Sequence, residues 1–358
     1  MTYAPQGKPA PVCQSGEFPF AVTHLDHGHI YGQCNGLIEA GGDLRWVYDS
    51  DPGRLAAFCE RYPQVRPAPS LETILEDPAI QLVAAAAIPN RRGSLGCQVM
   101  EAGKDYFTDK TPFTTLEQLE TARTTAARTG QKYMVYFSER LHVECAVLAG
   151  QLIADGVIGR VIQTIGTGPH RLSLSSRPEW FFQHEKYGGI LCDIGSHQSE
   201  QFLHYTGAKS AKVNFSAVAN FNNPDHPELE DFGEASLTAD NGASGYYRVD
   251  WFTPEGLRTW GDGRTLITGT KGTIELRKYI EVASENPEGD HLYLVDEKGE
   301  HRISCAGKVG FPFFGELILD VLNRTEKAMT QEHAFRAAEL CLQAQAAAVR
   351  IGPKNGFR

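Results

Sequence analysis

The chain has no Cys-x-x-Cys pair, although it carries eight cysteines: Cys13, Cys34, Cys59, Cys97, Cys145, Cys192, Cys305 and Cys341. That spacing excludes zinc-ribbon and thioredoxin-like motifs, and the thiols read as buried groups in a reducing compartment. There is no apolar run of the roughly 18 residues needed to cross a bilayer. The opening stretch MTYAPQGKPAPVCQSGE has no apolar signal core, so residues 1–18 are expected to be a loose polar tail and the chain cytoplasmic. Positive charge is also short: Lys and Arg number 34 against 44 Asp and Glu, a net charge of −10. With no basic stripe, the sequence argues against nucleic acid as a main partner. Internal repeats and low-complexity segments are absent as well.

What is present is a change of rhythm near residue 140. From 19 to 139, short apolar runs alternate with amphipathic segments. Strands are expected at Phe20–Leu25, Leu44–Tyr48, Leu82–Ile88, Asp105–Thr108 and Tyr133–Phe137. Helices are expected near Ile30–Ala40, Pro52–Arg61, Arg91–Ala102 and Leu116–Arg128. This is the βαβα pattern of a doubly wound parallel sheet, a Rossmann-type nucleotide domain. From 140 to 358 a helix at Val143–Asp155 precedes longer alternating runs at Val161–Gly166, Lys212–Asn220, Glu234–Ala239, Ser244–Trp251, Thr265–Thr268, Thr273–Leu276 and His291–Val295. Helices at Phe314–Arg324 and Glu332–Arg350 close the chain. That half reads as an α+β domain with a large, mostly antiparallel open sheet.

The turn between the first strand and first helix is Leu25-Asp26-His27-Gly28-His29-Ile30-Tyr31-Gly32. A dinucleotide pyrophosphate binds at such a helix start, where free N–H groups and the helix dipole meet negative charge. In the G-x-G-x-x-G spacing the chain supplies His27, His29 and Gly32, so only the third glycine is kept. Asp49, 17 residues after Gly32 at the end of the second strand, is placed to accept ribose hydroxyls and repel a 2′-phosphate, which favours NAD over NADP. Its alternative is a turn or cap residue. His24, Asp26, His27 and His29 are metal-ligand types, yet neighbours on a tight turn point apart and His24 lies in the strand, so no metal is expected.

Two further segments carry chemistry. Thr108-Asp109-Lys110-Thr111-Pro112 follows a strand whose carboxyl end faces the ligand side of such a sheet. Lys110 there can orient a substrate hydroxyl and stabilise a developing alkoxide; otherwise it is a solvated lysine. In Tyr187-Gly188-Gly189-Ile190-Leu191-Cys192-Asp193-Ile194-Gly195-Ser196-His197, Asp193 and His197 are four apart and share a face if a helix starts near Asp193. A histidine beside a carboxylate suits removal of a hydroxyl proton; otherwise Asp193 caps the helix and His197 packs beneath it.

Together these segments resemble the glucose–fructose oxidoreductase / inositol dehydrogenase / rhizopine-catabolism (Gfo/Idh/MocA) family, over about residues 19–350. Ala87-Ile88-Pro89-Asn90 is similar to its T-P-N cofactor turn. Gly103-Lys104-Asp105 with Asp109-Lys110 is similar to G-K-H-V…E-K-P, and Gly188 through His197 to G-G-G-x-x-x-D-x-G-x-H. Gly269-Thr270-Lys271-Gly272-Thr273-Ile274 resembles its late G-T-K-G turn. The resemblance implies a homodimer or homotetramer contacting through the open sheet. It implies NAD held by His27, Gly28, His29, Ile30, Gly32, Asp49, Ile88, Pro89, Asn90, Asp109 and Lys110. It also implies His197 as proton acceptor, Lys110 as its helper and Asp193 as a substrate-orienting group. The chain departs from the pattern at His27 and His29, at Thr111 in place of the E-K-P proline, and at Gln201 in place of an aspartate. His27–Gly32 with Arg177–Phe182 most resembles a subgroup associated with trehalose and related disaccharides. His170, Arg171, Arg177, Trp180, Phe181 and His184 mix aromatic faces with polar donors, as a sugar-binding loop does; packing at a domain interface is the alternative.

The reading is therefore an NAD-dependent oxidoreductase that turns a secondary hydroxyl of a sugar, glycoside or polyol into a ketone. A lyase or hydrolase using tightly bound NAD for transient oxidation would need the same residues. A non-catalytic sugar- or nucleotide-binding protein would follow if His27 and His29 abolished cofactor affinity.

Overall fold

Short strands rich in apolar residues build the first sheet. The computed structural model describes residues 8–352. In chain order come β1 (Pro19–Thr23), α1 (His29–Glu39), β2 (Asp43–Tyr48), α2 (Pro52–Arg61), β3 (Arg66–Pro67), α3 (Leu71–Glu76), β4 (Leu82–Ala85), α4 (Pro89–Glu101), β5 (Asp105–Asp109), α5 (Leu116–Thr129) and β6 (Tyr133–Tyr136). The strands pair in parallel in the order β3-β2-β1-β4-β5-β6. Every residue of β1, β4, β5 and β6 is buried, which is why β4 reads as a continuous apolar run. Asp51 caps α2 by accepting the Arg54 N–H, Ser70 caps α3 and Thr115 caps α5, each satisfying an N–H that the helix itself leaves free.

The second half continues with α6 (Ser138–Leu141), α7 (Glu144–Ala154), β7 (Val161–Pro169), α8 (His184–Tyr187), α9 (Ile190–Asp193), α10 (Gly195–Thr206), β8 (Ala211–Ala219), β9 (Phe232–Ala239), β10 (Ser244–Asp250), β11 (Arg264–Gly269), β12 (Gly272–Arg277), β13 (His291–Asp296) and β14 (Gly299–Ser304). After α11 (Pro312–Asn323) and α12 (Gln331–Ala346), the described chain ends with β15 (Val349–Arg350). The sheet has nine strands in the order β14-β13-β12-β11-β7-β10-β9-β8-β15. It is antiparallel except for β7–β10 and β8–β15. One face, through Ile267, Ile274, Leu276, Leu292 and Leu294, packs with Leu148, Ala149 and Leu152 of α7. A cross-strand row on the other face runs Phe215, Ser236, Tyr246, Ile165, Leu266, Glu275, Tyr293, with Phe215, Tyr246 and Leu266 exposed. Among the described residues no helix is long and apolar enough to cross a membrane.

The described chain divides into two units, Pro9–Tyr136 with Phe311–Phe335, and Phe137–Gly310 with residues 336–352. A single boundary at residue 140 therefore misplaces Phe311–Phe335, which packs with the first unit. Phe313 and Phe314 lie 5.9 and 6.5 Å from Phe107 between ring centroids, and Phe335 6.0 Å from Tyr133. Each ring so buried contributes about 2–3 kcal/mol. The described part of the expected tail is also tied down: the Val12 N–H donates to Ala40 O at 2.9 Å, and Phe18 is fully buried. Residues 1–7 of that tail lie outside the described residues. The final helix is shorter than its sequence pattern suggests. It stops at Ala346, and Val349–Arg350 pairs with Ala217–Val218 because β8 offers an unpaired edge there.

Candidate active site

In the first unit the strand order reverses between β1 and β4, and ligands of such sheets sit beyond the carboxyl ends of the strands at that point. After β1 the chain turns through His24, whose φ is 52°. The His24 N–H donates to Tyr48 O at 3.1 Å, and its carbonyl accepts the Ala86 N–H at 3.0 Å. The His27 N–H donates to Ala86 O at 3.1 Å, so the turn is fastened to both neighbouring strand ends. Gly28 is the N-cap of α1, and a Cβ built on it meets nothing within 4 Å. A Cβ on Gly32 would lie 2.6 Å from Tyr136 Oη, and one on Gly36 within 2.4 Å of the Phe314 ring. Gly32 and Gly36 thus serve packing, while Gly28 leaves open space beside the helix start. Ile30 is 1% exposed and belongs to the core, so only its backbone is available to a ligand. Ile88 and Pro89 start α4. Next to them Asn90 buries its Oδ1 with no hydrogen-bond partner among the described residues.

His27 and His29 do converge, contrary to the expectation that neighbours on this turn point apart. Two residues apart, they both reach Asp109, the last residue of β5. His29 Nδ1 lies 2.8 Å from Asp109 Oδ1, and His27 Nδ1 3.2 Å from Oδ2. The two rings meet edge to face at 4.2 Å. Asp109 is fully buried. It also accepts the Lys110 N–H at 2.8 Å and lies 3.2 Å from Arg92 Nη2. Burial would raise its carboxyl, but His29, Arg92 and His27 hold it well below the ordinary carboxylate value. Desolvation and His29 push the His27 imidazole down to about 4, against the pull of Asp109. The three ligand-type atoms lie within 4.8 Å of one another. With Arg92 on Asp109 and the Lys110 ammonium also acting on His27, the setting suits an anion better than a dication. Arg92, 1% exposed, also donates to the carbonyls of Ala87, Lys110 and Thr111. It clamps the end of β4 to the Lys110 segment, and nothing in the sequence pattern marks it for that work. Lys110 is buried, not solvated.

Asp49 closes β2 with both oxygens engaged. Oδ1 accepts Asp51 N–H at 2.7 Å and Arg54 Nη2 at 2.8 Å; Oδ2 accepts Leu25 N–H at 2.6 Å and Arg54 Nε at 3.3 Å. Arg54 also reaches Asp26 at 3.3 Å and Asp51 at 3.8 Å. Asp49 therefore shapes the turn, its buried carboxylate paired with a guanidinium.

In the second unit the double glycine sets the backbone. Gly188 and Gly189 have φ of 86° and 89°, and a Cβ on Gly189 would overlap Gln345. Gln345 and the Ile190 N–H share the buried Glu230 carboxylate, which fixes the start of α9. Asp193 and His197 do not share one uninterrupted helix as expected. Asp193 ends α9, and His197 lies in the first turn of α10. Ser196 Oγ donates to Asp193 O at 2.8 Å, and the His197 N–H turns to Ile194 O at 3.2 Å, a local hydroxyl competing with the helix ladder. His197 is buried and Asp193 half-buried. Burial lowers the Arg177 guanidinium while Asp193 opposes the shift, which puts those two charges in one neighbourhood. Arg177 also stacks over Phe181 at 4.5 Å and Trp251 at 4.7 Å. His170 packs on Trp251 at 5.4 Å and Trp260 at 4.3 Å. The remaining loop residues divide. Trp180 is half-buried against Phe181 at 6.0 Å. Arg171 braces the 254–257 loop through the carbonyls of Pro254 and Leu257. His184 pairs with Glu230 at 3.5 Å.

Sequence reasoning missed Glu139, Gln198 and Lys278. Glu139 is 2% exposed, and its Oε2 accepts Lys278 Nζ at 2.8 Å, Gln198 Nε2 at 2.9 Å and Gln201 Nε2 at 3.4 Å. Gly166 and Gly168 of β7 make room for Gln198, since a Cβ on Gly166 would lie 2.2 Å from its Oε1. The glycine alternation in Ile165-Gly166-Thr167-Gly168 was the one visible signal.

Residues 24–137 match the model of an oxidoreductase family with an NAD-binding Rossmann fold, and residues 147–275 that of the GFO/IDH/MocA C-terminal domain. A crystal structure from Erwinia carotovora atroseptica SCRI1043 shares 50% identity with a TM-score of 0.90, covering 94% of this chain and 100% of that one. A levoglucosan dehydrogenase in complex with NADH and levoglucosan has the same fold, with a TM-score of 0.76 at 17% identity, over 92% of this chain and 97% of that one. Scyllo-inositol 2-dehydrogenase (NAD(+)) of Bacillus subtilis (strain 168) is 28% identical over 56% of this chain and 56% of its own length. Matches to the curated relatives span between 38% and 67% of their lengths.

Proposed function

Because the chain belongs to the GFO/IDH/MocA oxidoreductase family, we propose that it is an NAD-dependent dehydrogenase oxidising a secondary hydroxyl of a sugar, glycoside or polyol to a ketone. The observation that carries the reading is the pairing, at the carboxyl ends of β1 and β4, of open space at Gly28 with the buried, unpartnered acceptor of Asn90. A dinucleotide fits both: its pyrophosphate needs a helix start without a side chain in the way, and its ribose hydroxyls are donors. Around it His27, His29, Ile30, Gly32, Ile88, Pro89 and Asp109 form the cradle. When bound, NAD supplies the two-electron oxidant. Three carboxylates, Asp26, Asp49 and Asp51, surround the single Arg54, and this negative balance supports NAD over NADP.

The chain's own residues move the proton. His197 accepts it from the substrate hydroxyl, Lys110 stabilises the developing alkoxide, and Asp193 orients the ring. His170, Arg177 and Trp180 offer aromatic faces and donors to a sugar, and Arg171 steadies the loop that carries them. Relatives named as dehydrogenases of xylose, scyllo-inositol and levoglucosan support a polyhydroxylated substrate. Oxidation of a disaccharide at ring position 3 is the narrower form of the proposal, resting on the sequence at 27–32 and 177–182. The exposed row Phe215, Tyr246 and Leu266 supports a homodimer or homotetramer. Screening mono- and disaccharides, inositols and glycosides with NAD for NADH absorbance tests the reading. A sugar consumed without net NADH would favour a lyase or hydrolase using transient oxidation, and no NAD binding at all would overturn the reading.

A further inference from the structure

The Glu139–Lys278 ion pair is fully enclosed, and a buried pair of this kind usually adds little stability over an apolar pair of the same size. Its surroundings give it another use. Gln198 and Gln201 both donate to Glu139 Oε2, and Gln201 also donates to the His197 carbonyl at 2.9 Å. Lys278 Nζ holds Gln201 Oε1 at 2.7 Å, and Thr265 Oγ1 approaches the same oxygen at 3.4 Å. The turn of α10 that carries His197 is therefore clamped on the pair from two positions. The second carboxylate oxygen, Glu139 Oε1, is buried without a hydrogen-bond partner among the described residues.

Burial would raise the Glu139 carboxyl, but Lys278, then His197, then His170 bring it down to about 2. It stays ionised at every working pH, and the attraction is mutual: the negative charge of the carboxylate favours a proton on the imidazoles that help to hold it down. Within this unit the other ionisable groups around the pair include His170 after β7, Tyr205 of α10, Cys145 of α7 and the Arg140–Glu200 pair at 2.5 Å. That last pair is self-neutralising. Asp193, four residues before His197, acts on Arg177.

We propose that Glu139 is a positioning residue for His197, its carboxylate supplying the fixed negative charge that sets how readily the imidazole takes a proton, with Lys278 as the counter-charge that moderates it. The step served is the proton transfer proposed above, so the inference rests on that reading. The test follows the His197 imidazole by nitrogen-detected NMR titration of the full chain, assigned with His197→Gln. Glu139→Gln should lower the His197 ionisation by roughly one unit, a tenfold change in its proton affinity. Lys278→Met should raise it over the pH range in which Glu139 stays ionised against its burial, because the carboxylate is then unopposed. A merely structural pair would move neither, or would move both in the same direction. Glu139→Asp, which keeps the charge, should restore most of the wild-type value. On an accepted substrate, the pH profile of kcat should shift with the titration while NAD affinity stays constant. Opposite shifts in the NMR titration with an unmoved rate profile would defeat the role of His197 as base and leave the Glu139 inference standing. Unchanged titration in folded Glu139→Gln would overturn the inference. Should that variant not fold, the sign of the Lys278→Met shift decides alone.

Discussion

Replacing Gly28 separates a cofactor site from a mere helix start. Its φ of −63° and ψ of −12° are accessible to any residue, and a Cβ there meets no atom within 4 Å. Gly28→Ala should therefore cost the folded protein less than about 1 kcal/mol, the scale of a changed cap. Gly28→Val, larger but still directed into open space, should cost only slightly more. If a pyrophosphate occupies that space, the added atoms must be accommodated against it. Overpacking of this order costs about 1–3 kcal/mol, which is roughly a five- to 150-fold loss of affinity. Titrating NAD and ADP-ribose into each variant by calorimetry, beside urea unfolding of the same samples, reads both quantities. Gly32→Ala is the contrast: its Cβ would lie 2.6 Å from Tyr136 Oη, so stability should fall even with no ligand present. Wild-type NAD affinity in a well-folded Gly28→Val protein would refute the placement of the dinucleotide.

His197→Ala should lower turnover by about two to four orders of magnitude with NAD affinity close to wild type; normal turnover would reduce His197 to a packing residue. Asp49→Ala should weaken NAD and narrow its advantage over NADP, since Arg54 loses its main carboxylate; tighter NADP binding by the wild-type chain would defeat the preference. Arg92→Met should cost about 3–5 kcal/mol at pH 7, since the buried Asp109 loses its guanidinium and the carbonyls of Ala87, Lys110 and Thr111 lose their donor. The Asp109 carboxyl is depressed in the fold, so its stabilisation is present above the unfolded value near 4 and is lost as pH falls through the folded one. The gap between wild type and Arg92→Met in urea should accordingly close only in strong acid. Light scattering should give a dimer or tetramer, and a monomer mass at working concentration would reject assembly through the exposed sheet face.

The parts legible in the sequence were those whose signal is local. β4 announces itself because Leu82–Ala85 is apolar throughout, and α2 because Asp51-Pro52 opens it. β14 was missed because Gly-Glu-His-Arg-Ile-Ser is an edge strand with no fully buried residue, so it carries no apolar alternation. β3 and β15 are two residues each, too short for any periodicity. At the site, His27, Gly28, His29 and Lys110 were visible from turn chemistry and position. The meeting of the two histidines with Asp109 was not, because it depends on contacts some 80 residues apart in the chain. Glu139 and Lys278 were invisible for the same reason: 139 positions separate them, and each alone reads as a solvated charge. The break between α9 and α10 falls at Ile194, and no pattern of apolar spacing reports it.

The return of Phe311–Phe335 to the first unit has a temporal consequence. A ribosome releases Pro9–Tyr136 long before the rings of Phe313, Phe314 and Phe335 that complete its interior. At about 5–20 residues per second, the roughly 200 residues between take about 10–40 seconds. During that interval Phe107 and Tyr133 lack these native neighbours, and Asp105 and Lys132 lack the contacts they make with Arg324 and Thr325. Vectorial synthesis therefore delivers a half-finished nucleotide domain first, and the segment that completes it only after the intervening residues.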